Sequence, residues 1–83
     1  MILMTDKERE KKERLKLQKH FGKHLRKIRA DQKITPAELA RRCYMERSSI
    51  ARLEMGHTMP TIFIVNKLCL GLGINIKDFF KEF

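Results

Sequence analysis

The side chains best placed to do chemistry form a short polar row on one predicted helix. Arg47, Ser48 and Arg52 fall on the side opposite Ile50 and Leu53, whose spacing marks them as buried anchors. Short or arginine-bearing side chains on an outward face suit a helix that enters a groove about 12 Å wide, the width of the DNA major groove. The row therefore indicates binding by a groove-entering helix.

Groups that would support catalysis or metal binding lack the necessary spacing. Cys43 and Cys69 lie far apart and form no CxxC motif, which argues against zinc-ribbon and thioredoxin-like sites. His20, His24 and His57 have no partners at ligand or proton-transfer spacing, and no Ser-His-acid or paired-carboxylate set can be assembled. We therefore predict no enzymatic activity, no metal and no cofactor, with both thiols acting as small buried hydrophobes.

Two short predicted helices position the polar row. Thr35, Pro36 and Glu38 are typical of a helix start, with Thr at the N-cap, Pro at the first helical position and Glu completing a capping box. This helix should run from about residue 36 to 43, and the one that carries the row from about 47 to 55, with Gly56 as its left-handed cap. A connection of about three residues between two such helices is the geometry of a helix-turn-helix.

Three further helices complete the predicted fold. An apolar face of Phe21, Leu25 and Ile28 predicts a first helix that ends near residues 32–33, and Asn75 can cap a short fifth helix. Thr61 can cap a fourth helix, whose predicted inner face comprises Ile62, Val65, Leu68, Cys69 and Leu72. The prediction is an all-α, five-helix domain over residues 19–83. The charged segment 1–18 precedes it as an arm or a helical extension, which is either a frayed helix or disordered. A solvated tail is favoured for this segment over an arm that contacts a groove.

The chain is short and strongly basic. Its 83 residues allow one compact domain, and its 19 Lys and Arg against 10 Asp and Glu give a net charge of +9. The first 32 residues hold 11 basic and 5 acidic side chains, an excess that suits a polyanionic partner. Net charge alone does not choose between DNA, RNA and an anionic membrane. No apolar run approaches the ~18 residues of a membrane span, so we expect a soluble, cytoplasmic protein without a membrane partner.

Five sequence segments, in order and at matching separations, carry a family resemblance. They are FGKHLRKIR (21–29), ITPAELA (34–40), SSIARLEMG (48–56), MP (59–60) and LGLGINIKDFF (70–80). Together they resemble the lambda-repressor-like, Cro/C1-type (XRE) helix-turn-helix family over about 60 residues. The resemblance implies a five-helix DNA-binding domain with a recognition helix that begins near Arg47.

The resemblance also implies roles for individual residues. Base contacts are expected from Arg47, Ser48 and Arg52, where each arginine can pair bidentately with guanine. Contacts to the DNA backbone are expected from Thr35, at the N-terminus of the second helix, and from Ser49, His57 and Thr58. A structural role for Ser49 and a plain surface position for His57 are the alternatives. Arg29 is expected to pair with Glu54 in a buried or half-buried salt bridge that ties the first helix to the recognition helix.

This sequence departs from the family pattern at three positions. Pro36 replaces the Gln that commonly opens the second helix, so the arginines must carry more of the recognition. Tyr44 stands where the turn often has Gly, and a positive φ there would cost roughly 1 kcal/mol. Glu46 occupies a cap position that usually holds Ser or Thr, which places a negative charge near the phosphates.

A dimer is expected because one recognition helix reads only about four or five base pairs, so specificity needs two copies on a palindrome. The predicted two-fold patch is drawn from apolar residues that the core does not need, namely Phe63, Ile64, Phe80 and Phe83.

The expected protein is a bacterial or phage-encoded, nucleoid-associated transcriptional regulator that binds double-stranded DNA, with no small-molecule ligand evident. An antitoxin or a restriction-modification controller would bind DNA in the same way. A protein–protein adaptor of the same fold is the rival from another class, and an RNA binder is disfavoured by the few aromatics.

Overall fold

The computed structural model describes residues 4–83, which form five α-helices and no strand. These are α1 (Asp6–Asp31), α2 (Pro36–Cys43), α3 (Arg47–Glu54), α4 (Ile62–Leu72) and α5 (Ile76–Phe80). The all-α, five-helix prediction is confirmed, and the predicted bounds of the second helix match those of α2. None of the described helices combines the length and the apolarity that crossing a bilayer requires.

The first helix includes most of the charged segment 1–18, as the alternative of a helical extension predicted. It begins at Asp6, where the hydroxyl of Thr5 accepts a hydrogen bond from the Glu8 N–H (3.1 Å), and it continues without a break to Asp31. The alternative of a disordered arm is therefore wrong for the described part of segment 1–18, while residues 1–3 of that segment lie outside the described residues. Once the later turns are anchored, adding each earlier turn of Lys, Glu and Arg costs little, because helix propagation is much easier than nucleation.

The core is built from one face of each helix. The buried apolar side chains are Phe21, Leu25, Leu39, Ala40, Cys43, Ile50, Leu53, Val65, Leu68, Cys69, Leu72 and Phe79. Four of the five predicted inner residues of α4 belong to this set. The fifth, Ile62, was assigned wrongly: it is 74% exposed, because it is the first residue of α4 and no other element covers the start of that helix.

Helix caps follow the sequence signals closely. The side chains of Thr35, Thr61 and Asn75 each accept a hydrogen bond from the backbone N–H three residues later, as predicted from their types. Gly73 ends α4 with a φ of 70°, and Gly56 has a φ of 74° directly after the last turn of α3. These caps define the start of α2, the end of α3, both ends of α4 and the start of α5, whereas Glu46 at the start of α3 makes no side-chain cap hydrogen bond.

Polar side chains of α1 and of its C-cap residue donate hydrogen bonds to backbone oxygens at or near the ends of the other elements. Gln18 donates to the carbonyl oxygen of Gly56 (3.1 Å), and Gln32 donates to that of Leu72 (2.7 Å). The Nε2 atom of His24 donates to the carbonyl oxygen of Phe79 in α5, against whose ring it also packs. Helix α1 thus serves as the frame on which the helix-turn-helix and the C-terminal helix are fixed.

Candidate nucleic-acid interface

The turn between α2 and α3 depends on a left-handed tyrosine. Tyr44 has φ 55° and ψ 44°, and the N–H of Met45 donates to the carbonyl oxygen of Ala40 (2.9 Å). The positive φ is thus required at this position, which costs a residue with a Cβ roughly 1 kcal/mol. The ring is 91% exposed, so burial does not offset this strain.

Close backbone packing sets the position of α3. Ile50 and Leu53 point into the core, and Gly22 of α1 lies directly against the last turn of α3. A Cβ added to Gly22 would lie only 2.5 Å from the carbonyl oxygen of Leu53 and 2.6 Å from that of Glu54. Any larger residue at position 22 would therefore push the two helices apart.

A nearly buried ion pair reinforces this junction. Arg29 donates from Nε to Oε2 of Glu54 (2.6 Å) and from Nη2 to Oε1 (2.9 Å), and the two side chains are 12% and 10% exposed. The remaining arm of the guanidinium donates to the carbonyl oxygen of Ile34 (2.7 Å). These hydrogen bonds to Glu54 raise the pKa of Arg29 above its ordinary value. The pair links α1, the start of α2 and the end of α3, and so fixes the angle of α3.

The predicted base-contacting residues share the free side of α3. Arg47, Ser48 and Arg52 are all exposed, and they lie opposite the buried Ile50 and Leu53. Their own contacts are weak: Ser48 Oγ is 3.5 Å from a carboxylate oxygen of Glu46, and Arg52 Nη2 is 3.5 Å from Ser49 Oγ. In the part of the chain that the structure describes, the side chain of Arg47 has no hydrogen-bond or ion-pair partner. This face can therefore present two guanidinium groups and a hydroxyl to a ligand without first breaking strong hydrogen bonds or ion pairs within the protein.

The four residues predicted to contact the DNA backbone flank this face along the chain. Thr35 is exposed at the start of α2, where its oxygen accepts the Glu38 N–H (3.1 Å) while its hydroxyl proton remains free to donate. Ser49 is half-buried within α3. His57 is exposed and Thr58 half-buried in the loop after α3. Their roles toward DNA stay predictions.

One charge cluster beside the helix-turn-helix was missed from the sequence. The carboxylate of Glu38 accepts hydrogen bonds from Arg41 (2.6 and 3.0 Å) and from Arg42 (3.0 Å), which lower the pKa of Glu38 to about 2. The spacing of three and four residues on α2 would have revealed these contacts. Both arginines of α2 are thus engaged within their own helix, unlike Arg47.

The residues predicted for a two-fold patch do not form one cluster. Phe63 is 69% exposed, and Lys67 Nζ lies 5.7 Å from its ring centroid. Phe80 packs against Phe83 with ring centroids 5.0 Å apart, whereas Ile64 and Phe83 also pack against the chain's own core. Within residues 4–83, no ring contact joins Phe63 to the Phe80–Phe83 pair.

The groups with metal-binding or nucleophilic chemistry are dispersed or buried. No three His, Cys, Asp or Glu side chains of the described residues come together in a way that could hold a metal ion. Both cysteines are free and buried, and burial raises the pKa of each thiol.

Comparison with known proteins places this geometry among regulators. The helix-turn-helix family matches residues 25–79 of the chain. Two crystal structures of the clp gene regulator ClgR from Corynebacterium glutamicum are similar, each with 29% sequence identity over 80% of this chain. Their TM-scores are 0.74 and 0.73, and the similarity covers 85% and 70% of those chains, respectively. The comparison with curated proteins gave no match.

Proposed function

This chain belongs to the Cro/C1-type (XRE) helix-turn-helix family, and on that premise we propose that it is a cytoplasmic transcriptional repressor that reads a palindromic DNA operator as a homodimer. One observation carries the proposal: Arg47, Ser48 and Arg52 project together from the free side of α3, while the other side is held rigidly by the core. An eight-residue helix with such a face fits the major groove.

Arginine is the side chain best suited to this readout. Its planar guanidinium can donate two parallel hydrogen bonds to O6 and N7 of guanine, and a good pair discriminates against a wrong base by about 1–3 kcal/mol. Arg47 and Arg52 each supply such a guanidinium group, and Ser48 adds a hydroxyl on a short side chain between them. Thr35, Ser49, His57 and Thr58 would then hold the phosphates on either side and so set the register of α3.

Selection of bound sites from random duplex DNA tests the base contacts. The protein should select a palindrome, and Arg47→Ala should relax the preference at one position in each half-site while lowering affinity about 5- to 150-fold per half-site. Arg41→Ala is the matched control, because it removes the same charge from an exposed side chain that is already paired with Glu38. If Arg47→Ala binds more weakly without relaxing any position, Arg47 contacts only phosphate. If no sequence is selected, the protein is an adaptor of the same fold and the proposal is wrong.

Light scattering after size exclusion tests the homodimer. At micromolar concentration the chain should elute at twice its mass of 9.9 kDa, and Phe63→Asp or Phe80→Asp should shift it to the monomer, since a buried charge opposes association. Leu15→Asp is the control, because Leu15 is also an exposed apolar residue (43%) but lies in the N-terminal half of α1, outside the proposed interface. A wild-type monomer, or a dimer that only Leu15→Asp disrupts, contradicts the proposed interface.

A further inference from the structure

A row of basic residues runs along α1 on the side that faces away from the core. This basic stripe consists of Lys12, Lys16, Lys19, Lys23 and Arg26, which are all exposed. Successive members are four and three residues apart in alternation. With 3.6 residues per turn, such spacing keeps the five side chains within an arc of about 80° along about 21 Å of helix. The five side chains therefore form one continuous row of positive charge.

Few acidic side chains lie near the basic stripe. Between Lys12 and Arg26 the only acidic residue is Glu13, three residues before Lys16, and Glu8 lies four residues before Lys12 within the same arc. Among the described residues, none of the five stripe residues forms an ion pair, whereas Arg29, Arg41 and Arg42 all do. The charge of the stripe is therefore available to an external anion.

The basic stripe lies beside the loop that follows the recognition helix. A Cβ added to Gly56 would lie 2.8 Å from Cα of Lys19, and the neighbouring Gln18 is hydrogen-bonded to the Gly56 carbonyl oxygen. His57 and Thr58, the proposed phosphate contacts of that loop, follow immediately. The stripe thus borders the proposed DNA-binding surface at Lys19 and continues from there toward the start of α1.

We propose that the basic stripe is a second DNA contact, which binds the phosphates of the duplex beyond the base pairs that α3 reads. The inference rests on the proposed function and extends it to the DNA that flanks each half-site. Lysine is a compact, flexible point charge without the planar fork that reads base edges. The contact should therefore raise affinity for any duplex sequence and make it more sensitive to salt, without adding specificity.

Paired charge removals on α1 test this contact. The stripe variant Lys12→Gln/Lys16→Gln should bind a non-specific duplex about tenfold more weakly or worse at about 0.1 M salt, and its salt dependence should fall by up to about two released ions per protomer. Lys11→Gln/Arg14→Gln is the matched control, because it removes the same charge from the same exposed turns but outside the arc of the stripe. The control should stay within about twofold of wild type, and circular dichroism should report the same helicity for all three proteins.

The choice of a non-specific duplex separates this proposal from the one on which it rests. If site selection yields no operator but the stripe variant still loses affinity for duplex DNA, the stripe contact stands and sequence-specific repression fails. Equal binding by the stripe variant and the control, on duplexes with or without an operator, overturns the stripe contact. The stripe contact is also overturned if the stripe variant loses binding only to vesicles that contain phosphatidylserine, which would assign the stripe to a membrane surface.

Discussion

Replacing Glu54 by Ala is expected to lower the free energy of unfolding by about 3 kcal/mol. The substitution leaves the Arg29 guanidinium almost buried, at 12% exposure, with only the carbonyl oxygen of Ile34 as a partner. An uncompensated charge in such a place costs far more than the intact pair contributes, because the guanidinium cannot recover its hydration. Urea unfolding followed by circular dichroism measures the change, which should appear as a lower midpoint with an unchanged slope.

Two further variants distinguish the energetic cost of an unpaired buried charge from that of a lost ion pair at the surface. Glu38→Ala also removes a carboxylate that binds arginine, but its partners Arg41 and Arg42 are exposed, so the free energy of unfolding should fall much less than in Glu54→Ala. The double variant Arg29→Met/Glu54→Leu removes both charges and should recover most of the stability lost in Glu54→Ala. If Glu54→Ala costs no more than Glu38→Ala, the junction between α1 and α3 does not depend on this pair.

The parts of the fold that the sequence predicted well are those decided by local chemistry. Thr35, Pro36 and Glu38 define the start of α2 through one hydrogen bond and one fixed φ, neither of which depends on the rest of the chain. The caps by Thr61 and Asn75 were equally readable. Because α2 and α3 are short and each has a clear start or stop, the helix-turn-helix could be placed to within a residue.

The parts that the sequence predicted poorly depend on neighbours distant in the chain. The N-terminal half of α1 has almost no apolar stripe, so its helical state follows from continuity with the anchored half rather than from its own composition. Ile62 has the right type and spacing for the core, yet whether an element covers the start of α4 cannot be read from periodicity. The same holds for His24, whose contact with Phe79 joins positions 55 residues apart.

The candidate interface likewise has features that follow from the local sequence and features that only the structure reveals. The outward position of Arg47 and Arg52 follows from the helical period and the anchors Ile50 and Leu53, and the structure has them exposed. The pairing of Arg41 with Glu38 could have been inferred from their spacing of three residues on α2, whereas the lack of a side-chain partner for Arg47 within residues 4–83 needs the side-chain geometry. Site prediction from sequence thus reaches the face of a helix, and the structure then tells which charges on it are available.

Replacing Gly22 by Ala is expected to destabilise the protein by about 2 kcal/mol, even though alanine favours helix over glycine by about 1 kcal/mol. The added methyl group would meet the carbonyl oxygens of Leu53 and Glu54 at 2.5 and 2.6 Å, so α1 must shift away from α3. Because that shift also tilts the recognition helix, affinity for the operator should fall together with stability. Denaturant unfolding and DNA titration of the same preparation measure the two effects.

Comparison with Gly71→Ala separates a clash with the main chain, expected for Gly22→Ala, from a clash with a side chain. Its methyl group would also be too close to a neighbour, at 2.4 Å, but that neighbour is the Sγ atom of Cys43. Adding Cys43→Ala removes the sulfur and should restore most of the stability lost in Gly71→Ala. No side-chain truncation can relieve Gly22→Ala in this way, since the atoms that it meets belong to the main chain of α3. A Gly22→Ala protein as stable as wild type would show that α1 and α3 can separate freely, and that the angle of the recognition helix is not set at this contact.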